Sequence, residues 1–184
     1  MMTETLQRDE LARRIAERSL LHGEFTLRSG RKSHYYLDKY LFSTDPVILR
    51  ALGEAFAAAI ARVPEPITRL AGAELGGIPL VAAASMATGI PSVFIRNQKK
   101  DYGTAKRLEG TLGADDVVVI VEDVATSGGQ VLEAAEVIAE TGARVAAIIA
   151  TIDRQEGARE NVEAAGFVFD ALFTTADLGI APDG

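Results

Sequence analysis

The chain has 184 residues, 48% hydrophobic and 24% charged, with a net charge of −7 and no cysteine. This describes a single globular domain large enough for a real core, and it excludes disulfides, zinc fingers and thiol nucleophiles. The acidic balance opposes phosphate-backbone binding as the main activity.

The polar start, Met1 to Glu10, is unlike a signal peptide. No apolar run approaches the length of a membrane span. The expected setting is therefore cytoplasmic, without nucleic-acid or membrane partners.

Leu6, Leu11, Ile15 and Leu20 recur at intervals that predict a first helix. Glu24–Leu27 and Ser33–Leu37 read as strands joined through Ser29-Gly30-Arg31-Lys32, a hairpin. Asp45-Pro46 forms an N-cap and first helical position, opening a helix to about Val63. Strands and helices then alternate. Strand Arg69–Gly72 leads through a loop at Glu74–Gly77 to helix Ile78–Thr88, stopped by Gly89. Strand Pro91–Arg96 leads into a charged loop, Asn97–Gly110. Strand Val117–Val121, helix Ser127–Thr141, strand Arg144–Ile152, helix Gly157–Ala165 and strand Phe167–Phe173 follow.

Such alternation predicts an α/β fold with a Rossmann-like parallel sheet flanked by helices. Ligands in such sheets bind beyond the carboxyl ends of the strands, at a topological switch point. The loops after Gly72, Arg96, Val121 and Ile152 hold most of the unusual residues.

The segment Val117 to Gly129 carries the most chemistry. A β-branched strand delivers Glu122 and Asp123 to its open end, where carboxylates can accept hydrogen bonds from sugar hydroxyls. Thr126-Ser127-Gly128-Gly129 then leads into a helix, whose free N–H groups and dipole suit a phosphate. Together they describe a ribose 5-phosphate cradle. The plainer alternative is that Thr126 or Ser127 caps the helix and the acids are solvated. The segment lacks the dinucleotide GxGxxG and the P-loop GxxxxGK[ST] patterns.

These thirteen residues resemble the phosphoribosyl pyrophosphate signature of type I phosphoribosyltransferases, and other segments are similar to the orotate phosphoribosyltransferases. Phe25 to Gly30 with Ser33-His34-Tyr35-Tyr36 looks like that family's N-terminal hood over the base. Glu74 to Pro79 looks like its pyrophosphate turn, Arg96 to Gly110 like its mobile catalytic loop, and Asp153-Arg154-Gln155-Glu156 like the segment whose arginine holds the orotate carboxylate.

The resemblance implies one domain over residues 1–184, with 1–40 forming the first helix and hood. It implies transfer of a phosphoribosyl group from phosphoribosyl pyrophosphate to orotate in pyrimidine (UMP) synthesis. Catalytic roles fall to Lys100, Arg96 and Asp123. Substrate contacts fall to Arg28, Tyr35, Tyr36, Lys99, Tyr102, Glu122, Val124, Ala125, Thr126, Ser127, Gly128, Gly129, Gln130 and Arg154. Magnesium is expected on the pyrophosphate oxygens, with no dedicated protein site. A homodimer in which each mobile loop closes over the partner's site is also implied.

The residue types fit such a reaction. Negative charge builds on departing pyrophosphate, and Arg96, Lys99, Lys100, Lys106 and Arg107 offer cations for it. Read from spacing alone, the same run suits a solvated surface loop, and Arg154 suits a local ion pair with Glu156 or Glu160. Tyrosines in a strand more often pack than stack on a ligand. His22 and His34 lack metal-ligand spacing.

Four positions depart from the common family pattern. Arg28 replaces a lysine in the hood, Leu75-Gly76 replace Tyr-Lys in the pyrophosphate turn, Asn97 replaces a lysine, and Tyr102 a histidine. Two other readings remain at this level: a different base, or a regulator that senses phosphoribosyl pyrophosphate on the same fold. The hood and Arg154 oppose the first; the acidic balance and the cationic loop oppose the second.

Overall fold

A computed structural model describes residues 6–26, 32–97 and 107–180, with the side chain of Ser33 excepted. Arg28, Lys99, Lys100 and Tyr102 fall outside the described residues.

In chain order the elements begin with α1 (Arg8–Ser19), β1 (Leu20–Thr26), β2 (Lys32–Leu37), α2 (Lys39–Ser43) and α3 (Pro46–Ile60). Next come β3 (Arg69–Ala73), α4 (Gly77–Thr88), β4 (Ser92–Ile95), β5 (Leu108–Glu109) and β6 (Val117–Ala125). The chain continues with α5 (Gly129–Ala139), β7 (Arg144–Asp153), α6 (Ala158–Ala164), β8 (Phe169–Thr174) and a 3₁₀ turn at Ala176–Leu178.

The main sheet has the order β5-β4-β3-β6-β7-β8, and its long strands are parallel. Leu108–Glu109, expected inside a loop, instead pairs antiparallel with Phe94–Ile95. The sheet is therefore mostly rather than wholly parallel. The chain runs outward from β3 to β4, then restarts on the other side of β3 with β6. The switch point thus lies between β3 and β6.

The β6 run shows why the sheet must be covered twice. Val119 and Val121 enter one cluster with Leu80, Val81, Leu52 and Phe56 of α4 and α3. Val118 and Ile120, pointing oppositely, pack with Val131, Ala134 and Ile138 of α5 and Val162 of α6. Leu11 and Ile15 of α1 belong to the first cluster. The first helix is thus part of the main core, while β1 and β2 pair as a separate antiparallel ribbon.

The elements depart from expectation in several places. The helix from Pro46 ends at Ile60 rather than near Val63. The short α2 was not anticipated; five residues are too few to show a helical period. The strand at β6 runs four residues past Val121, to Ala125, because Glu122 and Val124 still pair with β7.

Asp45 caps α3 as its sequence predicts, accepting from the N–H of Val47 at 2.9 Å and of Ile48 at 3.2 Å. An Asp45→Ala variant should lose about 1 kcal/mol of stability. For a chain of this size that lowers the melting temperature by about 2–4 °C, readable by calorimetry.

Candidate active site

The carboxyl ends of β3, β6 and β7 lie side by side at the switch point, and they carry Glu122, Asp123, Thr126, Ser127 and Arg154. Glu122 and Asp123 are 5% and 2% exposed, so the solvated-acid alternative fails. Burying two carboxylates side by side demands compensation.

Asp123 has compensation on both oxygens. Its Oδ1 accepts from the N–H of Val124 at 2.5 Å. Its Oδ2 pairs with the Lys39 ammonium at 2.8 Å. Burial works to lower the Lys39 pKa, but the charge and hydrogen bond of Asp123 outweigh it and hold Lys39 above its ordinary value.

Glu122 is different. Its Oε2 is buried without a hydrogen-bond partner. Burial, then the neighbouring Asp123, push its carboxyl well above the usual range. The pair thus divides into an acid with both oxygens partnered and one biased toward the neutral form.

Beyond β6, Glu122, Val124, Ala125 and the 126–131 segment line a concavity of about 70 Å³. Thr126, Ser127, Gly129 and Gln130 are exposed there. The helix begins at Gly129 rather than Ser127, and its N-cap is Gly128 with φ +80° and no side-chain cap. Neither hydroxyl is used for capping, which removes the plainer reading of that loop. Gly128 serves two ends: it supplies the left-handed backbone, and a Cβ there would lie 3.0 Å from Val162. The loop is further braced by Asn161, whose Nδ2 donates to the Ser127 carbonyl at 2.9 Å. Free N–H groups at the start of α5 and two exposed hydroxyls make this an anion cradle.

Arg154 follows β7, and its backbone N–H donates to the Ala125 carbonyl at 2.9 Å, tying the two strand ends together. The next residue, Gln155, has φ +58°, an unusual conformation for a non-glycine residue. Its N–H is held by Asp153 Oδ1 at 2.8 Å. The Arg154 side chain is 14% exposed and pairs with Glu156 at 2.8 Å. It also donates to the Tyr35 hydroxyl at 3.2 Å. Its Nε is buried without a partner. The local ion pair is therefore real, yet it leaves guanidinium capacity unused, as a site for a planar anion requires.

Tyr35 and Tyr36 point to opposite faces of β2, as neighbours on a strand must. Tyr35 meets Arg154; Tyr36 is 44% exposed and packs on Phe25, ring centroids 5.6 Å apart. The structure does not bring Tyr36 to the Arg154 side.

Arg96 extends from β4 toward Glu109, 3.9 Å away, and its Nε is buried without a partner. Gln130 lines the concavity and donates through Nε2 to the Glu74 carbonyl at 3.1 Å. Glu74 itself joins three segments. Asn97 donates to it through its N–H at 2.8 Å and through Nδ2 at 3.2 Å. Asn97 is thus a strut for the 74–77 turn, which accounts for an amide at that position.

Sequence reasoning missed Lys39 and the bracing roles of Glu74, Asn97 and Asn161. None had a local signal. Among the described residues no group of three or more potential ligands could hold a metal ion.

The chain matches the family model of the phosphoribosyl transferase domain over residues 44–180. It is 44% identical over 156 residues to the orotate phosphoribosyltransferase of Natronomonas pharaonis, covering 85% of this chain and 87% of that protein. Among solved structures, the Mycobacterium tuberculosis orotate phosphoribosyltransferase in complex with Fe(III) dicitrate superposes with a TM-score of 0.85 at 30% identity, over 94% of this chain and 99% of that one. The same enzyme in complex with 5-phospho-alpha-D-ribosyl 1-diphosphate gives 0.81 at 28%, over 94% and 99%.

The raised Glu122 pKa has a consequence for stability. Between the ordinary carboxylate pKa and the raised one, the folded state binds more protons than the unfolded, so stability falls as pH rises through that window. Glu122→Gln removes the term. Its melting temperature should exceed that of the parent increasingly as pH is raised above about 4.5, the unshifted value. Parallel melting curves at several pH values check this.

Proposed function

The chain belongs to the orotate phosphoribosyltransferase family, and from that premise we propose that it transfers the phosphoribosyl group of phosphoribosyl pyrophosphate to orotate. The products are orotidine 5′-phosphate and pyrophosphate, a step of pyrimidine synthesis. The observation that carries the proposal is the linked pair of strand ends: an anion cradle after β6 and a buried, under-used guanidinium after β7, joined by the Arg154–Ala125 hydrogen bond.

In this reading Thr126, Ser127, Gly128 and Gly129 wrap the 5-phosphate, with Val124, Ala125 and Gln130 completing the wall. Asp123 accepts from a ribose hydroxyl. Glu122, biased toward its neutral form, has a proton to donate and a lone pair to accept. Arg154 takes the orotate carboxylate, with Tyr35 holding the guanidinium beside the base. As the C1–O bond to pyrophosphate breaks and the bond to the base nitrogen forms, charge moves onto the leaving group. Arg96, Lys99 and Lys100 neutralise it, while Arg28 and Tyr102 add contacts at the hood and loop.

Magnesium would be carried by the substrate's pyrophosphate and would supply positive charge to the leaving group. The donor chemistry favours that route: Asp123 is already paired with Lys39, and Glu122 is biased toward neutrality.

We treat residues 1–184 as one domain, with 1–40 as helix and hood, and place the enzyme in the cytoplasm as a homodimer. A groove of about 750 Å³ on α3 and α4, lined in part by Leu49, Ala57, Ala83 and Met86, supports a self-association surface. Met86 is 87% exposed.

Arg154→Ala should reduce kcat/KM for orotate about ten- to a hundredfold, the worth of a charged hydrogen bond, and leave the binding of phosphoribosyl pyrophosphate nearly intact. Near-normal orotate kinetics in the folded variant would remove Arg154 as the partner of the orotate carboxylate.

Shared sites are tested by mixing. If the loop serves the partner, Lys100→Ala spoils the neighbouring site and Arg154→Ala its own. Equimolar subunit exchange makes about half the dimers mixed, each with one intact site, so roughly a quarter of parental activity returns. Exchange confirmed by co-purification through a tag, with no activity regained, would show that each loop serves its own subunit.

A further inference from the structure

The Lys39–Asp123 pair lies inside the proposed site, yet nothing above gives the ammonium a task in the reaction. Its backbone is fixed at the junction of hood and sheet. The Asp38 N–H donates to the Ser19 carbonyl at 2.9 Å, and the Asp38 side chain caps α2 through the Tyr40 N–H at 3.0 Å. From there the Lys39 side chain reaches Asp123 and remains 32% exposed, so its ammonium has room for a second anionic partner.

The turn after β3 supplies no cation in this chain. Gly76 lies so close to the diacid that a Cβ there would be 1.6 Å from Asp123 Oδ2. No side chain fits at that position without displacing Asp123. The turn can offer backbone but not charge. Among the described residues, Arg154 is engaged by Glu156, and Arg96 lies toward Glu109. Lys39 is the cation in contact with the acid pair.

Resting on the reading of the site given above, we propose that Lys39 is a pyrophosphate-binding residue, held by Asp123 until the substrate arrives. A ribose hydroxyl entering at Asp123 competes for Oδ2, the oxygen that Lys39 holds. On an α-ribosyl diphosphate the leaving group stands on the same side of the ring as the 2- and 3-hydroxyls. A cation released from the carboxylate that binds those hydroxyls is therefore beside the pyrophosphate. The exchange keeps both anions paired: hydroxyl for ammonium on Asp123, ammonium for solvent on the leaving group.

The test separates a pyrophosphate contact from simple support of Asp123. Lys39→Met and Lys39→Arg are titrated with magnesium pyrophosphate, phosphoribosyl pyrophosphate and orotidine 5′-phosphate. Orotidine 5′-phosphate shares the ribose and phosphate but lacks the pyrophosphate. The methionine variant should bind the two pyrophosphate compounds about ten- to a hundredfold more weakly, with orotidine 5′-phosphate changed far less, and arginine should restore much of the loss. Equal weakening of all three ligands would reduce Lys39 to a prop for Asp123 and overturn the proposal, as would no change in any.

If the methionine variant does not fold, the unaltered protein still decides. Magnesium pyrophosphate should slow acylation of Lys39, measured on the isolated peptide by mass spectrometry, and unchanged reactivity overturns the idea. These are binding measurements, so failure of the parent protein to form orotidine 5′-phosphate from orotate would sink the transferase reading separately.

Discussion

Two adjacent carboxylates buried at the end of β6 are the constraint around which the rest of the site is arranged. Taken from water, neither can stay ionised without help, and together they repel. For Asp123 that help is in place: a backbone N–H and the Lys39 ammonium meet its two oxygens. Glu122 lacks such partners for Oε2 and drifts toward the neutral acid. A solvated pair would show no such asymmetry. A sugar diol suits the result, since it can donate to the carboxylate and either donate to or accept from the acid.

The same constraint shapes the neighbouring backbone. In the rotamer that meets Lys39, Asp123 fills the space that a Cβ at Gly76 would need. Because that turn is thin, it needs bracing from outside. The bracing comes through Glu74, which takes hydrogen bonds from Asn97 at the end of β4 and Gln130 on α5. Gly72 has a similar duty one layer down: a Cβ there would lie 2.6 Å from the Gly77 carbonyl, so α4 can close onto β3 only over a glycine. The parallel order of the strands brings these ends to one edge. Small residues then let the loops approach closely enough to share partners.

How much of this was legible depended on whether the signal was local. The sheet strands were readable because β3, β6 and β7 are apolar runs bounded by turn residues, and Asp45-Pro46 declared the start of α3. The anion cradle was readable because its parts are consecutive, from the acids to Gly129. The length of β6 was not, since pairing of Glu122 and Val124 with β7 depends on a partner strand and not on their own polarity. Leu108–Glu109 was hidden in a charged loop for the same reason. Gly76 and Asn97 looked like cations lost from a family pattern. In space one gives room to the Asp123 carboxylate and the other is a strut. Lys39 was invisible because its partner is far away in sequence. Arg154 shows a different limit: the local ion pair and the ligand-binding role were posed as alternatives, yet the geometry accommodates both, since Glu156 leaves Nε unpartnered.

The N-terminal segment follows a division between apolar and polar attachment. Leu11 and Ile15 of α1 sit in the main core with Leu52, Phe56 and Leu80, so the N-terminal segment is anchored by burial. At the site, the cross-contacts from this segment include the Tyr35–Arg154 hydrogen bond and the Lys39–Asp123 pair. Polar contacts of this kind can be exchanged for similar contacts to a ligand with little net change, whereas apolar packing cannot. A segment fastened by its helix and joined to the site by exchangeable polar groups can therefore admit a charged substrate without loosening the fold. That arrangement also explains why the two basic residues touching these contacts, Lys39 and Arg154, lie at the edges of the diacid and cradle rather than within them. Each is stabilised by an internal anion, Asp123 or Glu156, that a substrate group of the same charge or a hydroxyl can replace.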